Sequence, residues 1–318
     1  MAIRFFKKET EVRKFLAVEK LNLLYNLLTT ILIIIFYERL ANPQQMLIGR
    51  FAILAGTFTL IYAYTKYPSP LMRFVRLVGQ MALLSYWYPD TFEFNRIFPN
   101  LDHLFAGADI ALFGCQPALM FEQLCSGFFW REAFNLGYWS YYPMIAAVTL
   151  WYFFKQQKEV ERCTFIIIAS FYLYYFIYIF LPVAGPQFYF PVIGDIAAAS
   201  GPYPEIGNYF DIHPQITIAQ EGKGGLFTSL VSMAQSSGER PTAAFPSSHI
   251  GISTVLMLLA LRSKRSLALI LMPFYLLLCC ATVYIKAHYL VDAIAGLLSG
   301  VLFYILTSTI FDRWLNGR

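Results

Sequence analysis

The sequence predicts an all-α integral membrane protein with about eight transmembrane helices, and three observations predict it. Of the 318 residues 58% are hydrophobic and only 14% charged, whereas soluble domains run near a quarter charged. Several apolar runs reach roughly 16–20 residues, about the length that crosses a bilayer as a helix. Basic residues gather on alternate connections between those runs, as the positive-inside pattern requires. The net charge is +5, but its placement says more than its total, and no nucleic-acid partner is expected.

The first twenty residues are polar and basic and lack the small-residue cleavage site of a secretory leader. Spans are expected over about 22–38, 50–65, 76–88, 135–154, 163–182, 248–261, 266–283 and 290–310. The third is short, with a basic left flank (Lys66, Arg73, Arg76) and an acidic right flank (Asp90, Glu93). Residues 89–134 are aromatic and amphipathic, and Asp109 to Gly114 opens an expected interfacial helix. Residues 183–245, rich in Gly, Pro, Ser and Tyr, read as a partly structured loop and a lid over the site.

With both termini cytoplasmic, one side carries 17 of the 24 basic residues. The other side keeps seven: Arg39, Arg50, Arg96, Arg131, Lys223, Arg240 and Lys286. That topology puts all four histidines, His103, His213, His249 and His288, on the non-cytoplasmic face, periplasmic or lumenal. Compact loops favour a bacterial inner membrane. The five cysteines show no metal-ligand spacing; Cys279 and Cys280 read as buried thiols within a span, and a Cys115–Cys125 disulfide is an open alternative.

Two strings carry the chemistry: Phe245-Pro246-Ser247-Ser248-His249, and the stretch from Tyr284 to Asp292 that contains His288. His288 and Asp292, at i and i+4, share one helical face. A carboxylate there accepts the imidazole N–H, which leaves the other nitrogen as a nucleophile and stabilises the charge that develops on attack. The competing reading is a polar pair that caps the last span. Pro246 followed by Ser247 and Ser248 reads as a helix start with a serine cap. Free N–H groups and a serine hydroxyl at such an end attract phosphate. His249 in the first turn then serves as general acid and base, against the alternative of an incidental interfacial histidine.

Phe-Pro-Ser-x-His followed by His-x-x-x-Asp resembles the second and third signatures of the type 2 phosphatidic acid phosphatase superfamily of membrane lipid phosphatases. The resemblance implies a six-helix catalytic core in residues 76–318, preceded in 1–75 by a basic tail and two additional spans. It implies His288 as the nucleophile that forms a phosphohistidine, Asp292 as its orienter, His249 as acid and base, and Ser247 as a phosphate ligand, with Ser248 beside it.

The sequence departs from that pattern where cations belong. Thr282 stands where the third signature carries arginine, Ser248 replaces a glycine, and the first signature has no clean match, since Arg240-Pro241 lacks its lysine. Weakened cationic signatures are similar to the sphingolipid branch, the inositol phosphorylceramide synthases. A nearly dianionic phosphomonoester needs several Lys or Arg partners in a low-dielectric site, whereas a phosphodiester needs fewer. Arg240 and Lys286 are the remaining candidates to bind phosphate. Arg240 is otherwise a solvated loop charge and Lys286 a headgroup contact or snorkelling side chain.

The expected activity is therefore a lipid phosphotransferase that moves a phospho-head group such as inositol phosphate from a phospholipid to ceramide or diacylglycerol. The alternative is a lipid phosphate phosphatase that uses the same residues on phosphatidic acid, phosphatidylinositol phosphate or a polyprenyl phosphate. Membrane lipids are the expected donor and acceptor. No cofactor is expected, and the activity is expected to be metal-independent. A metalloenzyme or metal transporter built on the histidines with Asp292 or Asp211 is the reading from another class, and a non-enzymatic channel or scaffold is a third.

Overall fold

Residues 8–9, 14–213 and 224–315 are described by the computed structural model, and among them every regular element is helical. In chain order these are α1 (Ala17–Ile35), α2 (Pro43–Lys66), α3 (Pro70–Ala82), α4 (Leu84–Asn95), α5 (Asp102–Phe113), α6 (Pro117–Leu124), α7 (Phe128–Trp139) and α8 (Tyr141–Lys155). They continue with α9 (Val160–Phe180), α10 (Pro186–Ile193), α11 (Asp195–Ser200), α12 (Tyr209–Ile212), α13 (Leu226–Gly238), α14 (Ser248–Ser263), α15 (Arg265–Tyr284) and α16 (Leu290–Ile310). Arg4, Lys7, Arg13, Lys223 and Arg318, counted above for orientation, lie outside the described residues, as does the 214–223 part of the expected lid.

The chain is a multi-pass membrane protein. Among the described residues five helices, α1, α2, α9, α15 and α16, are long and apolar enough to cross a bilayer, and the bent pair α5–α6 makes a sixth if counted as one span. The other expected spans fall on shorter or interrupted helices. Residues 76–88 fall on α3 and α4, which meet at Leu83. Residues 135–154 fall on α7 and α8, which meet at Ser140. Pro143 explains the second break: it has no N–H for the Trp139 carbonyl one turn earlier. Residues 248–261 fall on α14, an apolar helix of 16 residues.

The 89–134 segment differs from expectation. Asp109 lies inside α5, which starts at Asp102, and Gly114 closes it in the left-handed conformation (φ 70°). Pro117 then starts α6, and the two helices bend by 62°.

The central helix is α9, buried along most of its length, with α1, α4, α14 and α16 packed around it. Glycines decide how closely α14 and α16 approach. A Cβ on Gly296 would sit 2.5 Å from the Ser247 carbonyl oxygen, and one on Gly300 would sit 2.6 Å from that of Gly251. The four-residue spacing puts both glycines on one face of α16, so two backbones touch where side chains would hold them apart. At the opposite end of these helices Arg162 pairs with Asp312 and Arg262 with Glu159. His249 at the start of α14 and His288 just before α16 therefore share the other end. Cys115, Cys125, Cys163, Cys279 and Cys280 are all free thiols, and Cys280 faces outward rather than into the core.

Buried polar contacts fasten the first two spans to the rest. Arg50 of α2 makes a two-pronged ion pair with Asp90 of α4 at 2.7 and 2.9 Å, beneath the ring of Trp87. Arg76 of α3 pairs with Glu19 of α1. Between them Asn22 donates to Gln80 at 2.8 Å and accepts from Trp87 and Tyr172. Removing one member of a buried pair strands the other charge, which costs about 3–5 kcal/mol. Asp90→Ala should therefore lower the thermal midpoint in detergent markedly. Glu159→Gln, which loosens only the exposed 3.9 Å pair with Arg262, should cost under about 1 kcal/mol. Equal midpoints for the two variants would contradict this account of the buried pair.

Candidate active site

Ser247 caps α14: its hydroxyl accepts from the Ile250 N–H at 3.4 Å, and its own N–H donates to the Asp292 carbonyl at 3.0 Å. The Ser248 N–H donates to the Tyr178 hydroxyl, which donates in turn to the Pro246 carbonyl. The helix start inferred from Pro246-Ser247-Ser248 is thus formed. Its hydroxyl and several of its amides already have partners, and Ser247 is fully buried. In the next position His249 lies between the rings of Tyr138 and Tyr141, each centroid 4.6 Å away. Its Nδ1 has no hydrogen-bond partner among the described residues.

His288 lies in the turn between α15 and α16 and is almost completely buried. Its backbone N–H donates to the Thr282 carbonyl at 3.0 Å. Its Nδ1 is 2.8 Å from the Ala244 carbonyl, which can only accept, so Nδ1 carries the proton. Burial lowers the imidazole pKa to about 4, against the opposing pull of the Ala244 bond. At neutral pH the ring is uncharged, and Nε2 keeps its lone pair. The two imidazoles face each other with centroids 5.7 Å apart and planes at 65°.

The position of Asp292 differs from the simplest reading of the i, i+4 pair. The oxygen nearest the His288 Nδ1 is 3.8 Å away, too far for a hydrogen bond. That oxygen instead accepts the Tyr289 N–H at 2.9 Å and caps α16. The other carboxylate oxygen has no partner among the described residues. Asp292 is thus both the cap of the last span and a carboxyl group close to the ring, while a backbone carbonyl holds the ring proton.

Residues that sequence reasoning missed hold the turn in place. Asp109 accepts from the N–H groups of Leu290 and Val291 at 2.9 and 3.0 Å, and so caps α16 from another helix. Asp102 accepts from the N–H groups of Ala184 and Gly185, the Asn100 amide and the Tyr289 hydroxyl at 2.6–3.0 Å. The Ala244 N–H donates to Val183. One buried carboxylate therefore ties together the segments on both sides of His288. Two acidic residues seven apart in an otherwise apolar stretch were the available signal, because buried carboxylates need donors.

Neither candidate cation is among the residues that line the cavity beside His249. Lys286, in the left-handed conformation at φ 63°, directs its ammonium to Glu122 at 2.6 Å. Arg240 is exposed. A cavity of about 950 Å³ runs from His249 and Ser248 between α3–α4 and α7–α8, with α9 behind it. Among the described residues its lining is mainly apolar and aromatic, includes no Lys or Arg, and has Glu239 as its charged group. Among the described residues no three His, Cys, Asp or Glu side chains cluster as metal ligands.

Fold and site together define a multi-pass helical protein with two neighbouring buried imidazoles, of which His249 lines an apolar cavity. Residues 128–306, more than half of the chain, match the PAP2 superfamily, and the chain belongs to that superfamily. Membership brings phosphoryl-transfer or phosphatase chemistry on lipids. No curated protein and no solved structure matches the chain.

The close α14–α16 contact makes the site geometry testable. Gly296→Ala must push Ser247 away and carry His249 with it, and a 1 Å misplacement of reacting groups can cost about 100-fold. We expect at least a tenfold loss of kcat/KM in protein that still folds. Gly56→Ala, where the added methyl meets nothing within 4 Å, should leave the rate unchanged. Full activity in Gly296→Ala would contradict the packing argument.

Proposed function

We propose that the chain is a membrane lipid phosphotransferase that moves a phospho-head group, for example inositol phosphate, from a phospholipid to a lipid alcohol such as ceramide or diacylglycerol. The observation that supports this reading most is that, among the described residues, no Lys or Arg lines the cavity, with Lys286 engaged by Glu122 and Arg240 exposed. A dianionic monoester brought into such a site has little to offset its charge, whereas a singly charged diester needs much less. The resemblance to inositol phosphorylceramide synthases points the same way.

In this reading the His288 Nε2 attacks phosphorus, and the bond from phosphorus to the leaving lipid oxygen breaks. His249, which takes up a proton once the negatively charged phosphate lies beside it, donates that proton to the leaving oxygen, and diacylglycerol departs from a phosphatidylinositol donor. The Nδ1–H stays on the Ala244 carbonyl, and the Asp292 carboxylate offsets the positive charge that grows on the ring. His249 then takes the proton of the acceptor hydroxyl, whose oxygen attacks phosphorus as the P–N bond breaks. The cycle returns both histidines to their starting states. Ser248, on the cavity wall, offers its hydroxyl to the phosphate, and Ser247 sets the start of α14. The route needs no metal. Both termini belong on the cytoplasmic side, with the site on the periplasmic or lumenal face of, in our reading, a bacterial inner membrane.

The alternative, hydrolysis of a phosphomonoester lipid, uses the same residues with water as acceptor. Purified protein given phosphatidylinositol should release diacylglycerol only when ceramide or another lipid alcohol is added. That activity should persist in excess chelator and vanish in His288→Ala. Rapid release of inorganic phosphate from phosphatidic acid, without need of an acceptor, would replace transfer by hydrolysis.

A further inference from the structure

Glu239 follows α13 directly and lines the head of the 950 Å³ cavity together with Ser248 and His249. Three features of its setting matter. Its two oxygens accept from the Tyr138 hydroxyl and the Gln187 amide, each at 2.9 Å. It makes no ion pair among the described residues, unlike Glu19, Asp90 and Asp211, which all contact arginines. Tyr138, its first donor, is also the ring stacked on His249.

A carboxylate has about four lone-pair sites. Tyr138 and Gln187 take one each, and Gln235 contributes a further side-chain bond. Acceptor capacity therefore remains on the cavity wall. A negative charge there repels a phosphate but receives O–H donors well. Away from Glu239 the cavity follows α7–α8 from Tyr138 to Leu150, roughly 18 Å at helical rise. Apolar and aromatic side chains line it, including Phe74, Val78, Met81 and Ile145. Its dimensions and chemistry suit a hydrocarbon tail with a polar, uncharged head.

We propose that Glu239 is a specificity-determining residue that binds a hydroxyl of the acceptor lipid, whose tail occupies the groove between α3–α4 and α7–α8. The proposal rests on the transfer reading above and adds the acceptor subsite to it. Tyr138 couples this subsite to the chemistry, because a hydroxyl held by Glu239 lies beside the imidazole that must remove a proton from the acceptor. Gln187 holds the carboxylate from the other side. Its own N–H donates to the Lys286 carbonyl at 2.8 Å, which fixes the subsite relative to the His288 turn.

The test has two arms, each in full-length protein with an unchanged thermal midpoint. The first measures transfer from phosphatidylinositol at varied ceramide in wild type and Glu239→Gln. The acceptor KM should rise about tenfold while the donor KM stays within about twofold. Equal changes in both, or none, would overturn the proposal. The second measures binding of diacylglycerol and of its O-methyl ether to the His288→Ala protein, with and without Glu239→Gln. The free hydroxyl should bind about tenfold tighter, and Glu239→Gln should abolish the preference. A preference that never exists, or that survives the substitution, would overturn the subsite. If the preference exists and depends on Glu239 but no lipid alcohol receives a head group, the subsite stands and the transfer reading fails.

Discussion

A single backbone carbonyl fixes the state of the candidate nucleophile. Ala244 holds the Nδ1 proton of His288 at 2.8 Å, burial disfavours the charged ring, and the other nitrogen is left with a lone pair. A buried imidazole that donates to a carbonyl has one tautomer available at neutral pH. The carbonyl is fixed in turn, since the Ala244 N–H bonds Val183 and Ala184 and Gly185 bond Asp102. Without that anchored strand of chain the ring could rotate or exchange tautomers, and the pairing with His249 would lose its meaning.

Packing and electrostatics divide the remaining work. Gly296 and Gly300 bring α14 against α16, so that two short polar turns at one end of the bundle are held at atomic distance. Asp109 supplies from α5 the cap that the first amides of α16 lack. The first two spans are held by Arg50–Asp90, Arg76–Glu19 and the Asn22 contacts. In a bilayer such buried polar pairs stay together, because separated partners would face hydrocarbon. The accessory spans and the candidate site thus rest on the same principle, polar groups satisfied deep inside an apolar structure.

Much of this was legible from residue spacing. The helix start at Ser247, the shared end of His249 and His288, and the one-turn separation of His288 from Asp292 all follow from local sequence. Less legible was anything whose partner is remote. Asp102 accepts from the Tyr289 hydroxyl 187 positions away, and two of its other partners are backbone amides, which carry no sequence signature. The partner of the His288 ring proton was missed for the same reason: carbonyls are present everywhere, whereas Asp292 was visible. Arg240 drew notice as a cation next to a proline, while the half-buried carboxylate beside it, Glu239, faces the cavity. Lys286 sits near the histidine in sequence, but its backbone conformation turns the side chain to Glu122. The interrupted spans at Leu83 and Ser140 were hidden because hydropathy does not register where a helix steps.

The most direct test of the account is nitrogen NMR of His288 in reconstituted protein with labelled histidine, assigned by comparison with His288→Ala. The account predicts a neutral ring protonated at Nδ1 throughout the neutral range, with the second proton added only as pH falls toward about 4. A ring protonated at Nε2, or one that titrates near the ordinary imidazole value of about 6.5, would contradict it.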